Sequence, residues 1–318
     1  MARLRARSHD MLTRYYHHPI FVEHLTGPGH PERPERLVAI EQILEDECFQ
    51  LLDRELAPEG ALESITRCHP HKYAEAVAKA IPEEGLARID GDTIISPKSF
   101  TAALHAVGAA TAAVDGVVAG DCRNAFVAAR PPGHHAEKTT AMGFCLFNTA
   151  AIAARHAQSV HGLGRVAIMD WDVHHGNGTQ DIFWSDPSVL YCSTHQMPLY
   201  PGTGAKSERG EGNIVNAPLV AGDGSEKFRE AFETRILPAI DEFEPDLIII
   251  SAGFDAHFRD PLANLQLSDS DFDWATGKLM DAAATHCDDR LVSVLEGGYD
   301  LQGLAVSVKA HVKRLLEG

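Results

Sequence analysis

Short apolar runs alternate with longer amphipathic segments along most of the chain, and this alternation constrains the fold more than any other feature. The runs are rich in β-branched residues and have no polar face, which is typical of strands buried on both sides of a parallel sheet. The predicted strands cover residues 125–129, 166–170, 189–193, 247–251 and 291–295. The predicted helices cover about residues 34–47, 100–118, 149–161, 227–243, 271–286 and 301–316. This order predicts an α/β fold, an open and mostly parallel sheet with helices on both faces.

The length of the chain and its lack of linkers favour one folded domain. The chain has 318 residues, 44 % of them hydrophobic, which is enough for one large domain or two small ones. No Pro-, Ser- or Gly-rich linker and no charged linker interrupts it. Residues 1–14 are rich in arginine and lack the apolar core of a signal peptide. We therefore predict a flexible tail over residues 1–14 and a single domain over residues 15–318.

Charge and composition exclude several classes of protein. The formal charge of −17 argues against a nucleic-acid-binding protein, which would carry a basic patch, and it suits a cationic substrate. The Ala-rich stretch over residues 101–120 is interrupted by His105 and Asp115, so we predict a buried helix and no membrane span. The six cysteines form no Cys-x-x-Cys pair, which is typical of reduced thiols in a cytoplasmic protein.

A polar cluster follows each of the five predicted strands. In chain order, the clusters are RPPGHHA, WDVHHGNGT, STHQ, AGFDAH and EGGYD. Because ligands of open α/β sheets bind at the carboxyl ends of the strands, these clusters are expected to share one edge of the sheet. The residues predicted to converge there are His134, His135, Asp172, His174, Asp255 and Tyr299.

The pattern Asp-x-His at 172–174 indicates a metal site. Residues two apart in an extended segment point the same way, so Asp172 and His174 can bind one ion, and Asp255 supplies a third ligand. Three protein ligands with an open position are typical of catalytic zinc, and Fe²⁺ or Co²⁺ also suits two carboxylates and one imidazole. A second ion would need another carboxylate close by, and position 176 is glycine. The pattern therefore favours a single metal ion.

The neighbouring His134 and His135 are candidates for proton transfer. A Pro-Pro-Gly turn presents them at a strand end, where one can move a proton to and from the reacting groups and the other can stabilise charge. Asp170 is the carboxylate expected to orient one of them. Tyr299 follows Gly297 and Gly298, and we predict that its phenol donates to a developing oxyanion.

Seven motifs occur in the order HPERPERL, RPPGHHA, GFCLFN, DWDVHHGNGT, YPGTG, SAGFDAH and EGGYDL. Together they resemble the zinc-dependent histone deacetylase family, nearest to its class II and to bacterial histone deacetylase-like amidohydrolases, and the resemblance covers about residues 27–316. It implies an arginase/deacetylase fold with an eight-stranded parallel sheet. It also implies hydrolysis of an acetyl-lysine amide to acetate and the free amine. The expected substrate is an acetylated lysine in a peptide or protein, or a small acetylated amine.

The resemblance also implies residue roles. Asp172, His174 and Asp255 match the zinc ligands, His135 the general base and acid, His134 its electrostatic partner and Tyr299 the group that polarises the carbonyl. Substrate is expected to meet Asp92 at the rim, Phe144 and Tyr200 as channel walls, Leu262, Gly143 and Gly298 beside it, and Arg36 at the inner end of the acetate pocket. A structural K⁺ is implied at Asp170, Asp172, His174, Ser193 and Thr194.

The chain departs from the family pattern at two positions, and two alternative functions stay open. Asn177 stands where class I members carry an aspartate that supports the second histidine, which should keep His135 neutral more easily. Tyr200 replaces the commoner Phe, and its hydroxyl makes the channel mouth more polar. The alternatives are an acetylpolyamine deacetylase and a non-catalytic acyl-lysine-binding module. Polyamine-selective relatives carry a glutamate at the position of Leu262, so we expect lysine to be preferred.

Overall fold

The computed structural model describes residues 12–318, and its main sheet confirms the predicted fold class. Eight strands lie in the order β2-β1-β5-β10-β9-β6-β7-β8, and each neighbouring pair is parallel. The strands are β1 (Thr13–His17), β2 (Asp53–Leu56), β5 (Asn124–Val127), β6 (Val166–Asp170), β7 (Val189–Gln196), β8 (Ile214–Leu219), β9 (Leu247–Ala252) and β10 (Leu291–Leu295). A small antiparallel pair, β3 (Ala87–Arg88) and β4 (Ile94–Ile95), stands apart.

Helices cover both faces of this sheet. They are α1 (Glu35–Leu44), α2 (Leu62–Ile65), α3 (His71–Ala80), α4 (Ser99–Ala119), α5 (Thr149–His161), α6 (Asn177–Phe183), α7 (Ser225–Ala231), α8 (Leu237–Phe243), α9 (Asp269–His286) and α10 (Leu301–Glu317). Helix α4 packs with α5, whereas α10 packs with α1 and α9, and both groups contact the central strands. The centre of the sheet is therefore shielded from water on both faces.

The sequence predicted the five strands at the centre of the sheet and missed the three outer ones. Strands β5, β10, β9, β6 and β7 are contiguous, and every residue in them is buried. The missed strands are β1, β2 and β8. They are partly exposed, β2 reads Asp-Arg-Glu-Leu, and β8 contains Asn216 and Pro218. Outer strands of a parallel sheet lack the continuous apolar run that identifies a central strand.

Two predicted boundaries differ from the structure. Residues 1–11 of the predicted tail lie outside the described residues, but Thr13 and Arg14 belong to β1, where Arg14 Nε donates to Asp53 on β2 at 2.7 Å. The predicted helix over 227–243 is divided into α7, a π-helical turn (Phe232–Ile236) and α8. Pro238 lacks the N–H that an uninterrupted α-helix would use, which accounts for the local change of hydrogen bonding.

Helix α4 is long and apolar enough to cross a membrane by length and composition alone. Its apolar window has a mean hydropathy of 1.5, yet 67 % of that window is buried inside the fold. Small side chains, among them Ala106, Ala109, Ala110 and Ala113, allow it to pack closely. In the described chain this helix is a core helix, as the sequence predicted.

Candidate functional site

The candidate site lies at the carboxyl ends of four neighbouring strands, β5, β10, β9 and β6. His134 and His135 follow β5, Tyr299 follows β10, Asp255 follows β9, and Asp172 with His174 follows β6. Neighbouring strands lie about 4.8 Å apart, so residues far apart in sequence become spatial neighbours. The structure brings together all six side chains that were predicted to converge.

Asp172, His174 and Asp255 form a buried group that we call the inner cluster. Nδ1 of His174 lies 3.1 Å from Oδ1 of Asp172 and 3.1 Å from Oδ2 of Asp255. The carboxylates are held by backbone N–H groups: Gly297 donates to Asp172 at 2.8 Å, and Val173 donates to Asp255 at 2.8 Å. Backbone donors therefore fix the carboxylates, with an oxygen of each close to the imidazole.

The donor set and charge of the inner cluster fit a divalent metal ion. Within residues 12–318, no lysine or arginine pairs with Asp172 or Asp255, and the basic groups beside them are the imidazoles of His134 and His174. A pair of buried carboxylates is very costly unless cations balance its charge. Burial and the neighbouring Asp172 raise the pKa of Asp255 to about 7. A side chain at Gly297 would collide with both carboxylates, so glycine there keeps the space open. These observations fit a bound cation.

The structure leaves no space for a further carboxylate at position 176. A Cβ on Gly176 would collide with Asp170 Oδ2 and would crowd Nδ1 of His134. The backbone N–H of Gly176 donates to the Tyr191 hydroxyl at 3.0 Å, and that hydroxyl donates to Asp170 at 3.0 Å. The packing of this loop therefore requires glycine at position 176, where the sequence offers no carboxylate for a second metal ion.

His134 lies among carboxylates. Its Nδ1 is 2.9 Å from Oδ2 of Asp170, and its Nε2 is 3.8 Å from Oδ1 of Asp172. Burial alone would lower the pKa of His134, but the negative charges of Asp170, Asp172 and Glu296 outweigh it and raise that pKa well above its usual value. His134 is therefore suited to carry a positive charge beside the inner cluster.

His135 has a different environment. Its Nδ1 is 2.8 Å from Oδ1 of Asn177, at the start of α6, and its ring centroid is 6.0 Å from that of His174. Burial lowers the pKa of His135 well below its usual value, and the charges of His134 and His174 lower it further. The two adjacent histidines therefore differ in charge: His134 favours the protonated form, and His135 favours the neutral form.

Tyr299 is buried against the guanidinium of Arg36, whose central carbon lies 5.0 Å from the ring centroid. Arg36 also donates to the carbonyl oxygens of Gly298 at 2.6 Å and Glu296 at 2.5 Å. Burial and the negative charge of Asp255 raise the pKa of Tyr299 well above its usual value. The phenol therefore keeps its proton and can act as a hydrogen-bond donor.

Two aromatic side chains border the site. Phe144 packs edge-on against the Tyr299 ring at 5.9 Å, and Tyr200 packs edge-on against the His135 ring at 5.2 Å. Phe144 has a φ of +68°, a left-handed conformation that is strained for a side chain of this size. Two hydrogen bonds hold this turn, from Gly143 N to Asp92 Oδ1 and from Phe144 N to Thr93 Oγ1, both 3.2 Å.

The other predicted positions are less closely tied to the inner cluster. Leu262 is half-buried in the loop after β9, and its N–H donates to Asp260 Oδ1 at 3.0 Å. Ser193 pairs in register with Asp170 across β6 and β7, while its hydroxyl contacts His195 at 2.8 Å. The buried Thr194 hydroxyl has no hydrogen-bond partner within the described chain. The potassium site stays a prediction.

Sequence reasoning missed two carboxylates that hold the site's backbone. Oε2 of Glu296 accepts from the N–H groups of Gly133 at 2.7 Å and His134 at 3.1 Å. Oδ2 of Asp260 accepts from the N–H of Tyr299 at 2.7 Å. Glu296 directly follows β10 and begins the motif EGGYDL, so the strand-end position that identified Tyr299 also applied to Glu296. Asp260 lies in a loop and gave no such signal.

A second group, which we call the outer cluster, comprises Asp115 on α4 with His156 and His161 on α5. Nε2 of each histidine lies 2.6 Å from the same oxygen, Oδ1 of Asp115. Arg67 Nη1 lies 3.2 Å from Nδ1 of His156. Because arginine only donates, Nδ1 of His156 accepts from Arg67, and Nε2 carries the proton that is donated to Asp115. That proton occupies the position a metal ion would need, so hydrogen bonding accounts for this cluster.

Comparison with known proteins agrees with this geometry. The sequence model of the histone deacetylase domain family matches residues 30–315 of this chain. The chain is 40% identical over 285 residues to a histone deacetylase-like amidohydrolase from Pseudomonas aeruginosa, covering 88% of this chain and 75% of the relative. It is 38% identical over 305 residues to the human polyamine deacetylase HDAC10, covering 90% of this chain and 44% of the relative.

A solved structure extends the likeness from sequence to fold. The crystal structure of the HDA15 HD domain superposes with a TM-score of 0.92 at 36% identity, covering 97% of this chain and 89% of that chain. The family match spans most of the residues that build the sheet, and it includes the inner cluster, His134, His135 and Tyr299. The resemblance predicted from the motifs is confirmed: the chain belongs to the histone deacetylase family.

Proposed function

We propose that the protein is a zinc-dependent amidohydrolase that removes the acetyl group from the side-chain amine of acetyl-lysine, giving acetate and the free amine. The observation that carries the proposal is the placement of His135 and Tyr299 beside the inner cluster: the His135 and His174 ring centroids lie 6.0 Å apart, and Tyr299 follows by two residues the glycine that touches both carboxylates. The lowered pKa of His135 and the raised pKa of Tyr299 suit a general base and a hydrogen-bond donor. An acyl-lysine-binding module would need a pocket but neither a general base nor a phenol donor. The family itself implies a hydrolase.

Asp172, His174 and Asp255 would hold the metal ion. When bound, zinc supplies Lewis-acid activation of the substrate carbonyl and of the attacking water. Fe²⁺ or Co²⁺ also suits this set of two carboxylates and one imidazole. We place the structural K⁺ near Asp170, Asp172, His174, Ser193 and Thr194; the register of Asp170 with Ser193 and the buried Thr194 hydroxyl support this placement.

His135 is the group that moves the proton. Its Nδ1 is engaged by Asn177 at 2.8 Å, so Nε2 is the nitrogen that can take a proton from the attacking water. Its lowered pKa keeps His135 neutral before the reaction, and the proton can then pass to the leaving amine. His134, paired with Asp170 at 2.9 Å, contributes a fixed positive charge that stabilises the negative charge formed at the reacting carbonyl.

Tyr299 donates a hydrogen bond to the same developing oxyanion. Its raised pKa keeps the phenol protonated at neutral pH. Asp260 and Arg36 fix the backbone on either side of it: Asp260 accepts from Tyr299 N–H at 2.7 Å, and Arg36 donates to Gly298 O at 2.6 Å. A donor held in this way needs little reorganisation during the reaction.

The aromatic pair and the loop after β9 define the proposed substrate. Phe144 and Tyr200 offer apolar surface to the methylene chain of lysine. Leu262 carries no charge, whereas a polyamine brings a secondary ammonium that needs an anionic partner once it leaves water. The polyamine reaction is the second candidate, because the human relative is named a polyamine deacetylase.

The decisive experiment compares an acetyl-lysine peptide with acetylspermidine on the zinc-loaded protein. We expect turnover of the peptide with the higher kcat/KM, and loss of turnover after chelation with recovery on adding zinc. Failure to release acetate from any substrate, by protein that binds one equivalent of zinc, would contradict the proposed activity. A higher kcat/KM for acetylspermidine would instead make the polyamine reaction the leading candidate.

A further inference from the structure

Glu137 forms a hydrogen-bonded chain with Asn177 and His135. Glu137 follows His135 by two residues on the loop after β5 and is half-buried. Its Oε1 accepts from Nδ2 of Asn177 at 2.8 Å, and Oδ1 of Asn177 lies 2.8 Å from Nδ1 of His135. Asn177 thus separates a carboxylate from the imidazole that we propose moves the proton.

The carboxylate determines which way the Asn177 amide faces. The oxygen and nitrogen of an asparagine amide are almost equal in shape, so its orientation depends on its partners. The carboxylate oxygens of Glu137 accept hydrogen bonds, so they bind the NH₂ group of Asn177. In the opposite orientation two oxygen atoms would face each other across the same 2.8 Å. Nδ2 also lies 3.3 Å from Sδ of Met142, a weak acceptor that contributes little to the orientation of the amide.

The orientation of Asn177 in turn sets the tautomer of His135. An amide oxygen facing Nδ1 accepts a proton from it, which leaves Nε2 unprotonated. An NH₂ group facing Nδ1 would favour the other tautomer, with the proton on Nε2. Only the first tautomer can take a proton through Nε2, because a protonated Nε2 in a neutral ring has no lone pair to offer.

We infer that Glu137 is a positioning residue that acts through Asn177 to hold His135 in the tautomer competent for proton transfer. The inference rests on the proposed function, since it gives a reason for the tautomer of His135 in that reaction. Within the described residues, the Glu137 carboxylate reaches His135 only through the amide of Asn177, from which its Oε1 accepts at 2.8 Å.

The first test compares two substitutions at position 137 in the zinc-loaded protein. Glu137→Ala removes the acceptor, and we expect kcat to fall about tenfold with little change in KM, which is part of the 10²- to 10⁴-fold that general-base catalysis contributes. Glu137→Gln keeps an oxygen that can accept from Asn177 but also carries an NH₂ group that can donate to it, so both orientations of Asn177 are satisfied and only part of that loss should be recovered. Zinc content and circular dichroism serve as controls for the fold.

The second test replaces the amide. In Asn177→Asp either side-chain oxygen accepts from Nδ1 of His135, so no orientation has to be chosen and Glu137 becomes dispensable. We therefore expect Glu137→Ala to lower kcat in the wild-type background but not in the Asn177→Asp background, where it also removes the repulsion between two carboxylates. Equal losses of kcat in both backgrounds would overturn the inference.

A spectroscopic test separates this inference from the proposed activity. Nitrogen-15 NMR of the histidine side chains in the zinc-loaded protein distinguishes a protonated ring nitrogen from an unprotonated one. We expect His135 to carry its proton on Nδ1 in the wild type and to become a mixture of tautomers in Glu137→Ala. An unchanged tautomer in that variant would refute the role of Glu137 even if the wild type is active, whereas absence of turnover in the wild type would refute the proposed function alone.

Discussion

The inner and outer clusters contain the same kinds of ligand atoms but differ in what surrounds them. In the inner cluster His174 lies 3.1 Å from oxygens of two different carboxylates, and all three side chains are buried. In the outer cluster two histidines share one oxygen of Asp115 at 2.6 Å, and the Asp115 side chain is 52% exposed. Proximity of histidine and aspartate therefore does not by itself make a metal site.

Charge and hydrogen bonding account for the difference. The inner cluster buries two carboxylates that no arginine or lysine within the described chain neutralises, so a cation would relieve a large cost. In the outer cluster two imidazole N–H groups satisfy the single carboxylate, and Arg67 fixes the tautomer of His156. The inner cluster also has His135 and Tyr299 beside it, whereas the outer cluster lies between two helices.

The largest effect is expected from Asp255→Asn. The amide can still accept the N–H of Val173, which Asp255 accepts at 2.8 Å, so the fold should survive. Loss of the negative charge removes a ligand, and we expect most of the bound zinc and most of the activity to be lost. Elemental analysis after dialysis measures the zinc. A variant that keeps one equivalent of zinc would show that the inner cluster is not the metal site.

The next effect separates binding from chemistry at the inner cluster. Tyr299→Phe should keep the zinc and change KM little, but kcat should fall about 10²-fold or more, the scale expected for loss of one oxyanion donor. The aromatic ring and its contact with Arg36 remain, so stability should change little. Steady-state kinetics with thermal unfolding as a control tests this, and an unchanged kcat would assign Tyr299 to packing.

The same contrast explains how much the sequence revealed. Strand ends with polar residues identified Asp172, His174, Asp255 and Tyr299, because central strands of a parallel sheet are continuous apolar runs. Strands such as β2, Asp-Arg-Glu-Leu, carry no such pattern and were missed. The fold class and the residues of the inner cluster were therefore predictable, whereas the outermost strands were not.

Side chains that act through the backbone or through a neighbour were harder to recognise. Glu296 holds the N–H groups of Gly133 and His134, Asp260 holds that of Tyr299, and Glu137 contacts Asn177. Their partners lie up to 163 positions away and depend on how the loops turn. The position of Glu296 directly after β10 marked it as a residue of the site. The backbone partners of these carboxylates are not encoded in any spacing within one segment, so the contacts themselves required the structure.

A smaller effect is expected at the channel, where Leu262→Glu tests substrate choice. The new carboxylate would pair with the secondary ammonium of acetylspermidine, and the ratio of kcat/KM for acetylspermidine to that for an acetyl-lysine peptide should rise about tenfold, equivalent to roughly 1.4 kcal/mol. Leu262→Gln is the matched control for polarity without charge. A ratio that does not change in Leu262→Glu would place the determinant of substrate choice elsewhere.

The smallest effect is expected from Asp115→Asn in the outer cluster, and it tests the comparison from its other side. Zinc content and kcat should equal those of the wild type, because hydrogen bonds account for this cluster and it lies outside the catalytic machinery. The free energy of unfolding should fall by less than about 1 kcal/mol, since Asp115 is half-exposed and its pairs are screened by water.

The same pairs make this contribution depend on pH. Burial alone would raise the pKa of Asp115, but hydrogen bonds from His156 and His161 lower it. A lowered pKa means that this contribution is present at neutral pH and is lost as the pH falls through the folded-state pKa. Denaturant unfolding at several pH values measures the difference. If the wild type binds two equivalents of zinc and Asp115→Asn binds one, the outer cluster is a metal site after all, and the tautomer of His156 set by Arg67 does not prevent metal binding.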